Sequence, residues 1–343
     1  VYYNAVKIFQ ETQEKILLDR PELFSFEEKA ISVNLSKNLD DVVKKTSAIL
    51  QHHKESDYVE EALLMTGKSF YYQKNYSRAL RKFNELASVE DSEYYFENKL
   101  WIAKTRLQIR DLSRGLKILE EVKQEIINKG DEDLLIEVFR TEIGYLIFNQ
   151  QYEQAVTEMN NFLNFDIDDE LKAEVLYEKG LLSKLNDNFE LAEEAFSEVD
   201  NYSPTFEVDF KSKFEVAKIK AELGNLDQSL ELLKSLRSED KYSDNWDKID
   251  LEIGKIYYDK NEFDLAFDLF TEVDTTYKNT ESAGIAVFYR AELLENIFND
   301  YDSALVFYKS AATSRAPREL QQVAQKKSQL LNKYLNYHKT LSE

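Results

Sequence analysis

Apolar residues recur at three- and four-residue steps along most of the chain, interrupted by short polar breaks. Leu63, Leu64, Gly67, Phe70 and Tyr71 keep this step and mark one buried face of an α-helix. The break Gln73-Lys74-Asn75 follows, and then a second amphipathic run. Within LLMTGKSFYYQKNYSRALRKF, Gly67 is followed by Tyr76, Ala79 and Phe83 at nine, twelve and sixteen residues. The same intervals return at Gly180, Phe189, Ala192 and Phe196, and again at Gly254, Phe263, Ala266 and Phe270. The pattern therefore predicts an array of one repeated unit, each a pair of helices joined by a polar turn.

A register follows from the small residue of each second helix: Ala79, Gly115, Ala155, Ala192, Ser229, Ala266 and Ala304, at steps of 36, 40, 37, 37, 37 and 38. The matching place on the first helix holds Gly67, Ala103, Gly144, Gly180, Ala217, Gly254 and Ala291. Small side chains at both places let the two helices of a pair approach closely. The larger residues Tyr76, Leu112, Tyr152, Phe189, Leu226, Phe263 and Tyr301 are expected to fill the space left over.

This arrangement resembles the tetratricopeptide repeat (TPR), a unit of about 34 residues carrying Trp, Leu-Gly, Tyr, Ala, Phe, Ala and Pro at set places. The resemblance covers about residues 58–317 as seven helical pairs, and Pro204 even supplies a closing proline. It implies an all-α, right-handed superhelical solenoid, with units at about 58–93, 94–130, 131–168, 169–205, 206–243, 244–281 and 282–317. Every step exceeds the family's length, so longer helices or loops are expected. The ends should differ from the middle, because a solenoid needs caps. Residues 1–57 read as an N-terminal cap: a helix from Val1 to Arg20, a loop from Pro21 to Leu35, and a helix from Asp40 to His53 in the second-helix place of an incomplete unit. Residues 318–343 read as one basic amphipathic helix that closes the other end.

Composition narrows the partners. The 343 residues carry 44 basic and 65 acidic side chains, a net charge of −21, which disfavours nucleic acid and anionic membrane as the main partner. Such a balance favours a monomer or one member of a hetero-complex. Cysteine is absent, which removes disulfides, thiolate metal sites and thiol nucleophiles. No apolar run approaches the roughly 18 residues of a membrane-spanning helix. His52, His53 and His338 lack the cysteines of a zinc set, and Asp166–Glu170 lacks the glycine and distal glutamate of a calcium loop. There is no phosphate-cradling glycine loop, G-x-S-x-G elbow or H-E-x-x-H. A non-enzymatic role with no cofactor and no metal is therefore expected.

The first helices line the inner face of TPR arrays, and there the register projects two columns. One reads Leu64, Leu100, Arg140, Tyr177, Phe214, Leu251 and Phe288; its neighbour includes Lys68, Lys104, Lys218 and Lys255. Tyr71, Tyr72, Lys184 and Tyr258 fall on the same side. An apolar ridge beside a broken lysine ladder suits a peptide or helix with apolar anchors and acidic residues; the same ridge also reads as half-buried core flanked by solvated lysines. The carboxylate clamp of chaperone-tail binders needs an asparagine where Lys68, Lys104 and Lys218 stand, which disfavours that variant.

A second similarity concerns location. The opening VYYNAVKIFQETQEKI, followed by a long loop and SDYVEEALLMTGKSFYYQKNYSRALRKFNEL, resembles exported bacterial TPR lipoproteins, including the type that assists β-barrel assembly in the outer membrane. That resemblance implies a periplasmic scaffold held to the outer membrane only through a lipidated cysteine upstream of Val1. The alternative is a cytoplasmic TPR adaptor or regulator using the same groove.

Overall fold

The computed structural model describes residues 1–19, 22–53 and 55–342. The helix end expected at Arg20, the loop start expected at Pro21 and the end of the cap at Glu343 lie outside these residues. Among the described residues there are seventeen α-helices, two short 3-10 turns and no strand, so the all-α class holds. The chain divides into two compact units, Val1–Asp187 and Asn188–Glu343.

Unit 1 contains α1 (Tyr2–Leu18), α2 (Val33–His52), α3 (Val59–Tyr72), α4 (Tyr76–Ala87), α5 (Tyr95–Gln108), α6 (Leu112–Lys129), α7 (Glu132–Phe148), α8 (Tyr152–Leu163) and α9 (Asp169–Leu185). Unit 2 contains α10 (Phe189–Glu198), α11 (Phe206–Glu222), α12 (Leu226–Arg237), α13 (Trp246–Asp259), α14 (Phe263–Thr276), α15 (Glu281–Asn296), α16 (Tyr301–Ala311) and α17 (Arg318–Ser342). In each unit, successive helices pack on their neighbours in chain order.

The recurrent residues account for this packing. A Cβ on Gly254 would lie 2.6 Å from the Phe270 ring, and one on Gly67 would strike Phe83, so each glycine is the hollow that seats the phenylalanine sixteen residues later. Phe83 and Phe270 are completely buried. Burial of a side chain of this size contributes about 1.5–3 kcal/mol. Each ring then stacks on the next first helix, Phe83 on Trp101 and Phe270 on Tyr289. The large residues Tyr76, Leu112, Tyr152, Phe189, Leu226, Phe263 and Tyr301 each open a second helix, half-buried. The polar turn has its own signature. Lys74, Arg110, Gln150, Asp187, Gly224, Asn261 and Asn299 all adopt positive φ, at the same steps as the small residues. In the turns after α3, α5, α7, α11 and α13 the following amide donates to a carbonyl five residues back, closing the first helix.

Two expectations change. The N-terminal unit is complete, because α1 packs on α2 and α3 in the first-helix place, and α2 starts at Val33 rather than Asp40, capped by the Ser32 hydroxyl. Gly144, expected to seat its partner helix, instead admits backbone from the α1–α2 loop: a Cβ there would lie 3.2 Å from the Ser25 carbonyl group. At the other end, α17 packs on α15 and α16, burying Ala324 and Leu331, with Lys327 2.8 Å from Glu295.

Candidate concave binding site

The loop between α1 and α2 does not project into solvent. Its segment Glu22–Glu28, here called the strap, crosses the ends of α3, α5 and α7. Phe24 and Phe26 are each only 8% exposed and join the core formed by α5–α9. Gln108 Nε2 donates to the Phe26 carbonyl at 2.6 Å. The Phe26 ring meets Tyr145 edge-on and lies 5.0 Å from Phe148, while the Arg110 guanidinium sits over it and pairs with Glu27 at 3.1 Å.

Beneath the strap lies a cavity of 820 Å³. Its walls come from first helices only: Gln13 and Leu17 on α1, Lys68, Tyr71 and Tyr72 on α3, Leu100, Trp101 and Lys104 on α5, and Glu137 and Arg140 on α7, closed by Leu23, Phe26 and Glu28 of the strap. Helical spacing explains the grouping. Lys68 with Tyr71 and Tyr72, Trp101 with Lys104, and Glu137 with Arg140 are three or four residues apart and so share one face.

The charges of the cavity are largely satisfied from within. Lys68 pairs with Glu97, and Lys104 Nζ donates to Glu137 at 2.9 Å. Both ammonium groups also lie over the Trp101 ring, Lys104 at 4.5 Å from its centroid. Lys104 holds the Glu137 carboxyl below its ordinary range. Burial alone would lower the Lys104 pKa, but Glu137, Tyr72 and Glu28 outweigh it and raise it. Burial drives the Tyr71 phenol well above its ordinary value, and its hydrogen bond to Glu28 adds to the shift. Tyr72 is pushed up to about 12 by burial, against the opposing pull of Lys104 and of Gln13, whose amide donates to its oxygen at 2.9 Å. Arg140 is the exception. Its nearest carboxylate, Glu137, is 3.9 Å away and already engaged, and its buried Nε makes no hydrogen bond.

The expected site residues therefore separate. Lys68, Tyr71, Tyr72, Leu100, Lys104 and Arg140 come together around the cavity. Tyr71, Tyr72 and Leu100 form its floor, being almost wholly buried. Leu64, Leu251 and Phe288, expected on the groove surface, are 3–5% exposed and belong to the core clusters packed between helices, unlike Arg140 of the same column. Tyr177 and Lys184 lie half-buried on α9, outside this cavity. In unit 2, Phe214 stacks on Phe210, Tyr258 meets Tyr289 and Phe263, and Lys218 and Lys255 pair with Glu215 and Glu252 on their own helices. The lysine ladder is thus paired with carboxylates at every rung, not free.

Sequence reading missed the strap and the acidic partners. Phe24 and Phe26 were the available signal, since two aromatics in a loop need an apolar surface to cover them. Trp101 was a second, one residue beyond the projected column. Among the described residues no cluster of three His, Asp or Glu could hold a metal, and no helix is long and apolar enough to cross a membrane.

Within each unit, helical pairs stacked in chain order have the all-α, solenoid-like architecture of TPR folds. A tetratricopeptide repeat family model matches residues 61–89, the α3–α4 pair. Among solved structures, the C-terminal part of a TPR repeat-containing protein from Cytophaga hutchinsonii aligns with a TM-score of 0.55 at 13% identity, covering 74% of this chain and 96% of that one. A Signal Transduction ATPase with Numerous Domains carrying a tetratricopeptide repeat sensor, from Pyrococcus horikoshii, aligns with a TM-score of 0.53 at 12% identity. That match covers 93% of this chain and 50% of that one. At these identities the likeness concerns the fold. No curated protein sequence matches the chain.

Proposed function

We propose that the chain is a non-enzymatic interaction scaffold that binds a segment of a protein partner in the cavity of unit 1. The cavity itself carries this reading: 820 Å³ of space with an aromatic floor, paired charges on its walls, and an arginine left without a hydrogen bond at Nε. The volume lies within the range of ligand sites, about 300–1,000 Å³. Apolar anchors of the partner rest against Tyr72, Leu100 and Trp101, and one acidic group meets Arg140. Photo-crosslinking in cells tests this, with the crosslinker placed at Gln108 or Arg140 in the cavity and at exposed Arg81 on α4 as the control. The partner is expected from the first two positions; capture from Arg81 alone would move binding to another face.

We place this scaffold in the bacterial envelope, attached to the outer membrane through a lipid anchor, and the similarity of the opening stretch to exported TPR lipoproteins supports that location. Fractionation with protease accessibility in the native cell checks it. Recovery of the protein in the cytosol would favour the adaptor reading.

A further inference from the structure

The strap has the chemistry of a bound peptide. Along Glu22-Leu-Phe-Ser-Phe-Glu-Glu28, Phe24 and Phe26 turn inward and are buried, whereas Ser25 and Glu27 are exposed, the alternation of an extended segment. It forms neither helix nor strand. What holds it is a set of contacts from other helices: the Gln108 amide on the Phe26 carbonyl, the rings of Tyr145 and Phe148 on Phe26, Arg110 on Glu27, and Tyr71 on Glu28. Gly144 leaves room for the Ser25 backbone: a Cβ there would lie only 3.2 Å from the Ser25 carbonyl group, closer than an ordinary contact. None of these contacts requires the strap to be covalently joined to the chain.

We propose that the strap is an internal occupant of a partner seat that adjoins the cavity on the same face of unit 1 and closes it. The natural partner then carries an extended segment of the same chemistry, two aromatic side chains two residues apart followed by acidic residues, and takes the strap's place. This inference rests on the concave face of unit 1 being the binding face, and it names what that face selects. Aromatic anchors enter the sites of Phe24 and Phe26, and the acids reach Arg110 and the Tyr71 hydroxyl. The strap is tethered at both ends, by α1 and α2, so it competes at high effective concentration. The partner is admitted only when its segment outcompetes that tether.

The probe is a fluorescent peptide, Glu22–Lys29 of this chain, followed by anisotropy against full-length protein. Two opened chains are compared with the parent: one with Phe24→Ala and Phe26→Ala, one with Glu22–Glu28 replaced by seven Gly and Ser residues. Both leave the walls of the site intact. The peptide should bind each opened chain about tenfold or more tighter than the parent, since the tethered competitor is gone. A peptide lacking both phenylalanines should not bind, and Gly144→Val in the opened background should abolish binding by filling the space of the Ser25 backbone. Equal binding to parent and opened chains, or binding indifferent to Gly144→Val, would overturn the proposal. Loss of helix content in both opened chains would show the strap to be a brace and would also overturn it. A parent dimer that the peptide splits would assign the site to the strap of a second copy. Because the probe is the chain's own sequence, failure here leaves the crosslinking result standing, whereas capture from Arg81 alone would remove the premise that a partner takes the strap's place, whatever the peptide does.

Discussion

The two units treat the same lysines in opposite ways. In Val1–Asp187, Lys68 and Lys104 reach forward to the next first helix, to Glu97 on α5 and Glu137 on α7, and their side chains are 13% and 16% exposed. In Asn188–Glu343, Lys218 and Lys255 turn back to the glutamate three residues earlier on their own helices, and are 30% and 28% exposed. Sequence explains the difference: three residues before Lys68 and Lys104 stand Met65 and Trp101, whereas Glu215 and Glu252 precede Lys218 and Lys255. A lysine with no local acid is free to join successive repeats. One with an acid a turn away is neutralised on its own helix and joins nothing. Unit 1 is therefore cross-linked by charge along the face that the strap covers, while the lysines of unit 2 are left nearer the solvent.

Buried charge provides the largest test of that contrast. Unit 1 buries a cation between two acids: Lys123 on α6 donates to Glu142 at 2.7 Å and Glu158 at 2.6 Å. Unit 2 buries an anion between two donors: Asp250 accepts from Arg237 Nε and from the Tyr277 hydroxyl, both at 2.8 Å. Removing a buried charge's partner costs about 3–5 kcal/mol, so Lys123→Ala, which strands Glu142 and leaves Glu158 only the Asn161 amide, should lose that much. Asp250→Asn keeps one carbonyl oxygen, for Arg237, and turns an NH2 toward the Tyr277 hydroxyl, which can accept from it; it should lose about 1–3 kcal/mol. Urea unfolding followed by circular dichroism measures both; equal losses would mean that the acids around Lys123 find other partners.

The repeat was legible because it is written in residue types that one position demands. Glycine at 67 and 254 and phenylalanine sixteen residues later are two halves of one contact, and both recur. The turns were legible as polar breaks, although only Gly224, Asn261, Asn299 and Asp187 suggest positive φ by their identity, and Lys74, Arg110 and Gln150 do not. The ridge was read too generously, because a column of Leu and Phe does not distinguish a groove floor from the seam between helix pairs, and Leu64, Leu251 and Phe288 belong to the seam. The inter-helix ion pairs were invisible for a different reason. Lys104 and Glu137 are 33 residues apart, and no local periodicity links them. The strap was hidden by its setting, since a loop has no period to reveal which of its residues turn inward.

Two glycines at one nominal place sharpen the comparison further. A Cβ on Gly254 in unit 2 would lie 2.6 Å from the nearest carbon of the Phe270 ring, whereas one on Gly144 in unit 1 would meet the strap backbone at 3.2 Å. Gly254→Leu should overpack the interior of a helix pair and cost about 1–3 kcal/mol. Gly144→Leu should displace the strap while sparing the α7–α8 pair. It should therefore lower stability less than Gly254→Leu, yet accelerate tryptic cleavage at exposed Lys29, just beyond the strap. If instead cleavage is unchanged and melting falls as far as for Gly254→Leu, then Gly144 serves its helix pair after all.

The lysines themselves give the smallest effect and the most direct one. Lys255→Ala removes an ion pair within one turn of α13, worth about 0–1 kcal/mol. Lys104→Ala removes a pair between α5 and α7 together with a cation over Trp101, and should cost about 1 kcal/mol. Acid separates the two variants better than magnitude does. The Glu137 carboxyl is held below its ordinary value of 4.5, first of all by Lys104. A folded-state pKa below the unfolded one gives stability that is present above the unfolded value and disappears as the pH falls through the folded one. In the parent, this contribution is full at neutral pH and is lost progressively below about pH 4.5. Lys104→Ala takes away the principal cause of the depression, so its stability should fall less steeply with acid over that window, while Lys255→Ala should follow the parent. Unfolding curves at a series of pH values from neutral downward measure these slopes. Equal slopes for the parent and Lys104→Ala would mean that Arg140 and Lys68, the other cations near Glu137, suffice to hold its charge, and that the bridge from α5 to α7 is dispensable.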